Sequence, residues 1–158
     1  MCTAWPEARR AVAAVAALAA VALPAGCGGG GDGRLSASAY RARATRICDD
    51  ARRRTVALGQ PRTTSQFKTF LVGGIAVSER SLHRLQALRP PKDLQDEHAA
   101  IIVGERRALA ALRALAARLH GDSRDVALLK RARPELDRLG AEADARYRAA
   151  GLGACTRT

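Results

Sequence analysis

The sequence predicts an all-α fold, an antiparallel four-helix up-and-down bundle. Three observations lead there. Between residues 36 and 150, apolar side chains recur three or four positions apart in four successive segments. Each segment stops at a glycine or proline break. No stretch carries the β-branched alternation of a half-buried strand. With 158 residues, one modest domain is the ceiling, and amphipathic helices joined by short connections pack as antiparallel neighbours.

The elements follow in order. Ser36 or Ser38 can cap a first helix running to about Leu58, with Tyr40, Ala44, Ile47, Ala51 and Leu58 on its inward face. Gly59-Gln60-Pro61 stops it. Thr63 to Ser65 offer caps for a second helix that ends near Leu88 and turns Phe67, Leu71, Ile75, Ser78, Leu82 and Leu85 inward; Pro90-Pro91 closes it. The third extends to His120 through Leu94, Ile101, Ala108, Leu112, Leu115 and Leu119, and Gly121 is its C-terminal glycine. Asp122 or Ser123 opens the fourth, which runs to about Ala150 through Val126, Leu129, Leu136, Ala143 and Tyr147, with Pro134 expected to kink or split it.

The N-terminal segment reads as an address. Met1 to Arg10 ends in two arginines, and Ala11 to Leu23 is an unbroken apolar run followed by Pro24, Ala25, Gly26 and Cys27. That is the order of an export signal, and the run falls short of the roughly 20 apolar residues of a membrane span. Arg9-Arg10 lacks the continuation of a twin-arginine signal, which leaves the general secretory route as the default. Leu23-Pro24-Ala25-Gly26-Cys27 resembles the lipobox of bacterial lipoproteins, in which the cysteine is acylated and becomes the mature N-terminus. The usual leucine position holds Pro24, and Leu23 lies one residue further back. The rival reading is cleavage after Ala20-Val21-Ala22, which leaves a soluble product with a free Cys27. The lipobox resemblance implies a signal over residues 1–26, a lipidated Cys27 with a Gly-rich tether over 27–35, and a bundle domain over 36–158. It places the domain on the extracytoplasmic face of the cell membrane, with the bilayer as a partner through the lipid.

Cysteine arithmetic agrees. With Cys2 in the signal and Cys27 lipidated, Cys48 and Cys155 remain, and a leftover pair outside the cytoplasm reads as a disulfide. Two cysteines without a nearby histidine supply too few ligands for zinc. Ile47-Cys48, Ala87-Leu88-Arg89-Pro90-Pro91 and Gly151-Leu152-Gly153-Ala154-Cys155 resemble a group of small actinobacterial lipoproteins and secreted helical proteins. This resemblance supports a bundle closed by one disulfide and implies no substrate.

Candidate chemistry is sparse. His83 reads as a solvated helix residue and His120 as a complement to a helix C-terminus. His98 and Glu105, seven apart, fall beside the inner stripe of the third helix; a buried carboxylate there needs a partner. They are either edge residues, solvated or paired with arginine, or the polar end of a ligand pocket. Ser78 suggests no specific catalytic set, no Glu-x-x-His metal motif occurs, and no glycine-rich phosphate loop follows a strand. No cofactor or metal is expected. Gly73-Gly74 and Gly104 read as a close approach of two helices, or else as a cavity.

The formal net charge is +12, and 24 of the basic residues are arginine in a chain with 35 alanines, a bias that GC-rich coding produces by itself. Arg34, Arg41, Arg43, Arg46 and Arg52 to Arg54 outnumber Asp49 and Asp50 in and before the first helix. Nucleic acid is not the expected partner, because stacking aromatics are too few. Anionic phospholipid or a cell-wall polymer fits better, against a default of a solvated face. The expected function is a non-enzymatic, lipid-anchored binding or structural role at the cell envelope, with no protein partner identifiable. The alternatives are a small-ligand-binding bundle and a hydrolase with an unidentified site.

Overall fold

A computed structural model describes residues 33–156. The export signal, Cys27 and most of the tether lie outside the described residues, as do positions 157 and 158 of the expected domain. Four helices form the antiparallel bundle: α1 (Ala37–Ala57), α2 (Thr64–Gln86), α3 (Gln95–Arg118) and α4 (Asp125–Ala149). Short 3-10 turns over Lys92–Leu94 and Gly153–Cys155 precede α3 and follow α4. No strand is present among the described residues. Each helix packs on its neighbour in sequence, and the Gly153–Cys155 turn sits against both α1 and α4.

Caps fix the helix starts. The Ser36 hydroxyl accepts from the Ala39 amide at 3.2 Å, so Ser36 rather than Ser38 opens α1. Thr63 accepts from the Gln66 amide at 3.1 Å, and the Gln66 side chain reaches back to the Arg62 amide at 2.8 Å, a variant of the capping box. Before α1, the Leu35 amide donates to the Arg89 carbonyl at 2.9 Å and Arg34 donates to the Pro90 carbonyl at 3.2 Å. The last residues of the expected tether are therefore fastened to the α2–α3 turn.

The start of α4 departs from expectation. Neither Asp122 nor Ser123 is its cap; the helix begins at Asp125, and Val126 is 45% exposed. Asp125 takes the inward position instead, only 2% exposed. Its carboxylate accepts from the amides of His120 at 3.0 Å and Gly121 at 2.6 Å, while Gly121 turns the chain at φ 89°. One acidic residue thereby seals the end of α3 and opens α4. The stripe then continues through Leu128, Leu129, Ala132, Leu136, Leu139 and Ala143 to Tyr147, all buried or half-buried. α4 is not split at Pro134. Pro134 and Lys130 both lie on the exposed side, where water can take the carbonyl left without a donor.

Two further faces differ. Leu58, expected inward, is 41% exposed; the buried residues of α1 are confined to Tyr40, Ala44 and Ile47, and Leu58 lies over Gly73 of α2. α3 buries Ile102 and Leu109 besides Ile101 and Leu115. It is flanked by both α2 and α4, so it needs two apolar stripes rather than one.

Closure comes from the C-terminus. The Leu152 amide donates to the Tyr147 carbonyl at 2.8 Å and the Gly151 amide to the Arg148 carbonyl at 3.0 Å. Gly151 stands at φ 71°. This is a Schellman turn. It drives Leu152, 1% exposed, into the core and returns the chain to α1, where Cys48 and Cys155 form a disulfide with Cα atoms 5.3 Å apart. Arg41 donates to the Ala150 carbonyl at 3.2 Å and Arg52 to the Ala154 carbonyl at 2.6 Å, so the same segment is held on either side of the bridge.

The disulfide spans 107 positions, a loop whose closure the chain-entropy account values at about 4 to 5 kcal/mol. Cys48→Ser with Cys155→Ser should therefore lower the melting temperature by well over 10 °C, read by thermal circular dichroism with and without reductant. An unchanged melting temperature would refute this role.

Asp125 generates a second expectation. Hydrogen bonding from the His120 amide, opposed by burial and joined by Gly121, lowers its pKa from the ordinary 3.8. A carboxylate stabilised in the fold contributes fully above its unfolded pKa and loses that contribution as pH falls through the folded value. Asp125→Ala should be less stable than the parent at pH 6, and the difference should shrink below about pH 3.8. Denaturant titrations at several pH values measure it.

Candidate functional site

α3 carries both candidate residues at one end of the bundle, where α1 begins and α4 ends. Seven residues separate His98 from Glu105, two helical turns and about 10 Å. Each meets a tyrosine from a different helix. The Tyr40 hydroxyl of α1 lies 3.0 Å from His98 Nδ1, with the two rings edge to face at 5.6 Å. From α4, Tyr147 donates to Glu105 Oε1 at 2.9 Å.

Burial governs the electrostatics. His98 is held below the ordinary imidazole value by burial, so the neutral ring that shares a hydrogen bond with Tyr40 is favoured. Glu105 is raised by burial, partly offset by the Tyr147 hydroxyl and reinforced by the negative charge of Asp144. Tyr147 is raised by burial first and then by Glu105, and burial also raises Tyr40. The sequence left Glu105 either as an edge residue, solvated or paired with arginine, or as the polar end of a pocket; its hydrogen-bond partner is a tyrosine. Both hydroxyls are thus harder to ionise than free phenols, the reverse of an activated nucleophile.

Glu105 and His98 do not share a pocket. A cleft of about 260 Å³ opens between α3 and α4. Glu105, Asp144 and Tyr147 line it together with Ala108, Leu112, Leu136, Leu139 and Ala143, and Cys155 of the disulfide borders it. His98 lies outside this lining, against Tyr40. Because α3 and α4 are antiparallel, Glu105, Ala108 and Leu112 run along one wall as Asp144, Gly140 and Leu136 run along the other. The cleft consequently has one polar end and one apolar end.

The glycines do not bring α2 and α3 backbones together. Gly104 gives room to the side chain of Arg146, whose guanidinium would lie 2.6 Å from a Cβ there, and Gly73 accommodates Leu58. His83 and His120 are exposed, and Ser78 is half-buried on α2. Among the described residues no group of three or more His, Cys, Asp or Glu is placed to hold a metal ion.

The arginines of α1 are largely engaged with the protein itself. Arg52 pairs with Asp49, while Arg53 and Arg54 pair with Asp50. Asp50 also accepts from Arg84 of α2 at 2.7 Å. With Arg34 and Arg41 engaged at the chain ends, Arg43 and Arg46 are the exposed basic residues of the group that no such contact occupies. Sequence reasoning missed both tyrosine partners. Tyr40 and Tyr147 were legible as inward residues, but a periodicity says nothing of where a hydroxyl ends.

Removing the Tyr147 hydroxyl leaves a buried carboxyl without its donor, an effect of about 1 to 3 kcal/mol. Tyr147→Phe should show that loss in denaturant unfolding at pH 7. Glu105→Gln retains an acceptor and removes the charge. A carboxyl raised by folding is most favourable to the fold below its unfolded pKa, and that advantage disappears as pH rises through its folded pKa. The Gln variant should therefore gain stability relative to the parent as pH rises above about 4.5, the ordinary carboxyl value, and a flat difference from there to neutral pH would contradict the assignment.

Compared with known proteins, the chain matches no family model, no curated protein and no solved structure.

Proposed function

We propose that this chain is a non-enzymatic binding bundle held by lipid on Cys27 at the extracytoplasmic face of the cell membrane, with the α3–α4 cleft as its binding site. The observation that carries the reading is that cleft: a bounded space of about 260 Å³ with apolar walls and a few polar groups gathered at one end. Sites for small molecules share this kind of lining and are somewhat larger, at about 300 to 1,000 Å³. The Cys48–Cys155 disulfide supports an oxidising compartment. The lipobox-like run ending at Cys27 supplies the anchor, and the attachment of Leu35 to the α2–α3 turn would set that end of the bundle nearest the bilayer.

A non-enzymatic role is favoured over hydrolysis by the two hydroxyl pairs. Each pairs a tyrosine hydroxyl with a polar side chain of α3, and in each the phenol is pushed away from ionisation. Arg43 and Arg46 offer the exposed charge for anionic phospholipid or a cell-wall polymer, a smaller contact than seven arginines would make.

Metabolic labelling with a fatty-acid analogue in a lipoprotein-processing bacterium should mark the chain, and Cys27→Ser should abolish the mark. The lipid-free Cys27→Ser protein should then be released from the membrane fraction, with any residual hold on anionic vesicles lost at high salt. Equal labelling of both proteins, or a mature N-terminus at Leu23, would overturn the anchor.

A further inference from the structure

The groove between α1 and α2 gathers positive charge at one place. Asp50 and Arg54 stand one helical turn apart on α1, as Arg80 and Arg84 do on α2. All four line a recess of about 130 Å³, with Ser81 beside them and Val77, 4% exposed, beneath.

Asp50 organises this charge without cancelling it. Its Oδ2 accepts from Arg54 at 3.0 Å and from Arg84 at 2.7 Å, so guanidinium groups from two helices are drawn to one point. Arg53 pairs with the same carboxylate at 3.6 Å. A guanidinium carries five N–H donors, and Arg54 and Arg84 each spend one on Asp50. Among the described residues, no hydrogen bond or ion pair occupies Arg80. The neighbouring acids are committed elsewhere, Asp49 to Arg52 at 3.5 Å and Glu79 to Arg113 of α3 at 2.7 Å. Three guanidinium groups therefore share the recess with one carboxylate, and most of their donors are unspent.

Donor geometry decides what such a recess recognises. A cation would meet three like charges, and a neutral hydroxyl would gain one ordinary hydrogen bond. A carboxylate has two oxygens, which match a single guanidinium fork. The phosphoryl group of a monoester has three strong acceptor oxygens and a charge of about −1.5 to −2 at neutral pH. Arg54, Arg80 and Arg84 can each donate to it, and such charge-assisted hydrogen bonds are about twice as strong as neutral ones. The recess is smaller than the roughly 300 Å³ at which sites for whole drug-sized ligands begin, so it suits the charged head and leaves the rest of the molecule outside.

We propose that Arg54, Arg80 and Arg84, drawn together by Asp50, form a binding site for the phosphoryl group of a phosphomonoester, whether free in solution or in a lipid headgroup. The site lies on a different helix pair from the α3–α4 cleft, so neither stands or falls with the other.

The exported Cys27→Ser chain, which keeps every described residue, is titrated with glycerol 3-phosphate and with acetate at one ionic strength, since diffuse attraction varies with salt. Calorimetry should give glycerol 3-phosphate an affinity about tenfold or more above acetate. Arg80→Gln should remove most of that gain. Arg131→Gln deletes the same charge from the exposed side of α4 and should leave the affinity within about twofold. Both replaced side chains are exposed, and matching thermal melts check that the fold is kept. Phosphatidylcholine vesicles with and without phosphatidic acid identify the source of the phosphate. Recruitment by phosphatidic acid that Arg80→Gln abolishes would support a lipid headgroup, and binding of glycerol 3-phosphate without such recruitment would support a soluble monoester. Glycerol 3-phosphate bound no better than acetate, or weakened equally by Arg80→Gln and Arg131→Gln, would show diffuse charge and overturn the site. No binding of glycerol 3-phosphate at millimolar concentration would overturn it too.

Discussion

The return of the C-terminal segment onto α1 is the constraint on which the bundle depends. α1 packs along α2, but its contact with the far side of the bundle runs through residues 150–155 rather than through the body of α4. Three kinds of interaction act within that short segment. A left-handed Gly151 reverses the chain, Leu152 fills the core, and Cys155 bonds Cys48. Each needs the others. Without the Schellman hydrogen bonds, Leu152 would have no fixed direction. Without Leu152 in the core, the loop to be closed would be far more mobile. Arg41 and Arg52 add hydrogen bonds to the carbonyls of Ala150 and Ala154, and those carbonyls would otherwise face solvent at a helix end.

Closure and site are mechanically one feature. The carbonyl of Tyr147 accepts the Leu152 amide, and the hydroxyl of the same residue donates to Glu105. Whatever loosens the C-terminal turn therefore moves the polar end of the cleft. Tyr40 couples the same region to α1 through His98, so α3 is tied to both outer helices by buried polar pairs as well as by apolar packing. Such pairs contribute less net stability than an apolar core of equal volume. Their physical return is directional: a hydroxyl that must reach one acceptor fixes the register of α3 against α1 and α4, which leucine and alanine contacts alone leave free to slide.

How far the sequence was legible follows from what kind of signal each residue carries. Tyr40, Ala44 and Ile47 were readable because α1 contacts its neighbours along one stripe. The disulfide was readable from cysteine number together with the export that the N-terminal segment leads one to expect. Leu58 was not, because periodicity continues past the point where α1 runs out of neighbours. On α4 only the first position of the stripe was misplaced, since Asp125 occupies the inward position that hydropathy assigns to Val126. The amides of His120 and Gly121 reward the carboxylate there, a tertiary effect invisible to a pattern. Glu105 was found by its spacing from His98. Its separation from His98 into a different environment was not, because helical spacing puts two residues on one face without saying which neighbouring helix each meets.

The abundance of alanine makes the cleft easy to form but does not by itself make it selective. A chain this rich in alanine will leave shallow gaps wherever two helices cross at Ala108, Gly140 and Ala143, and a gap lined only by such residues stays dry and indifferent to charge. Glu105 changes that. Among so many arginines, a carboxyl on an inner helix face would gain most stability from a guanidinium; here it takes a phenol as partner and an acid as neighbour. That arrangement disfavours the ionised carboxyl, because burial and Asp144 both oppose its charge. The carboxyl that gives the cleft its polar end is therefore a poor stabilising residue for the fold, held in place by the phenol of Tyr147.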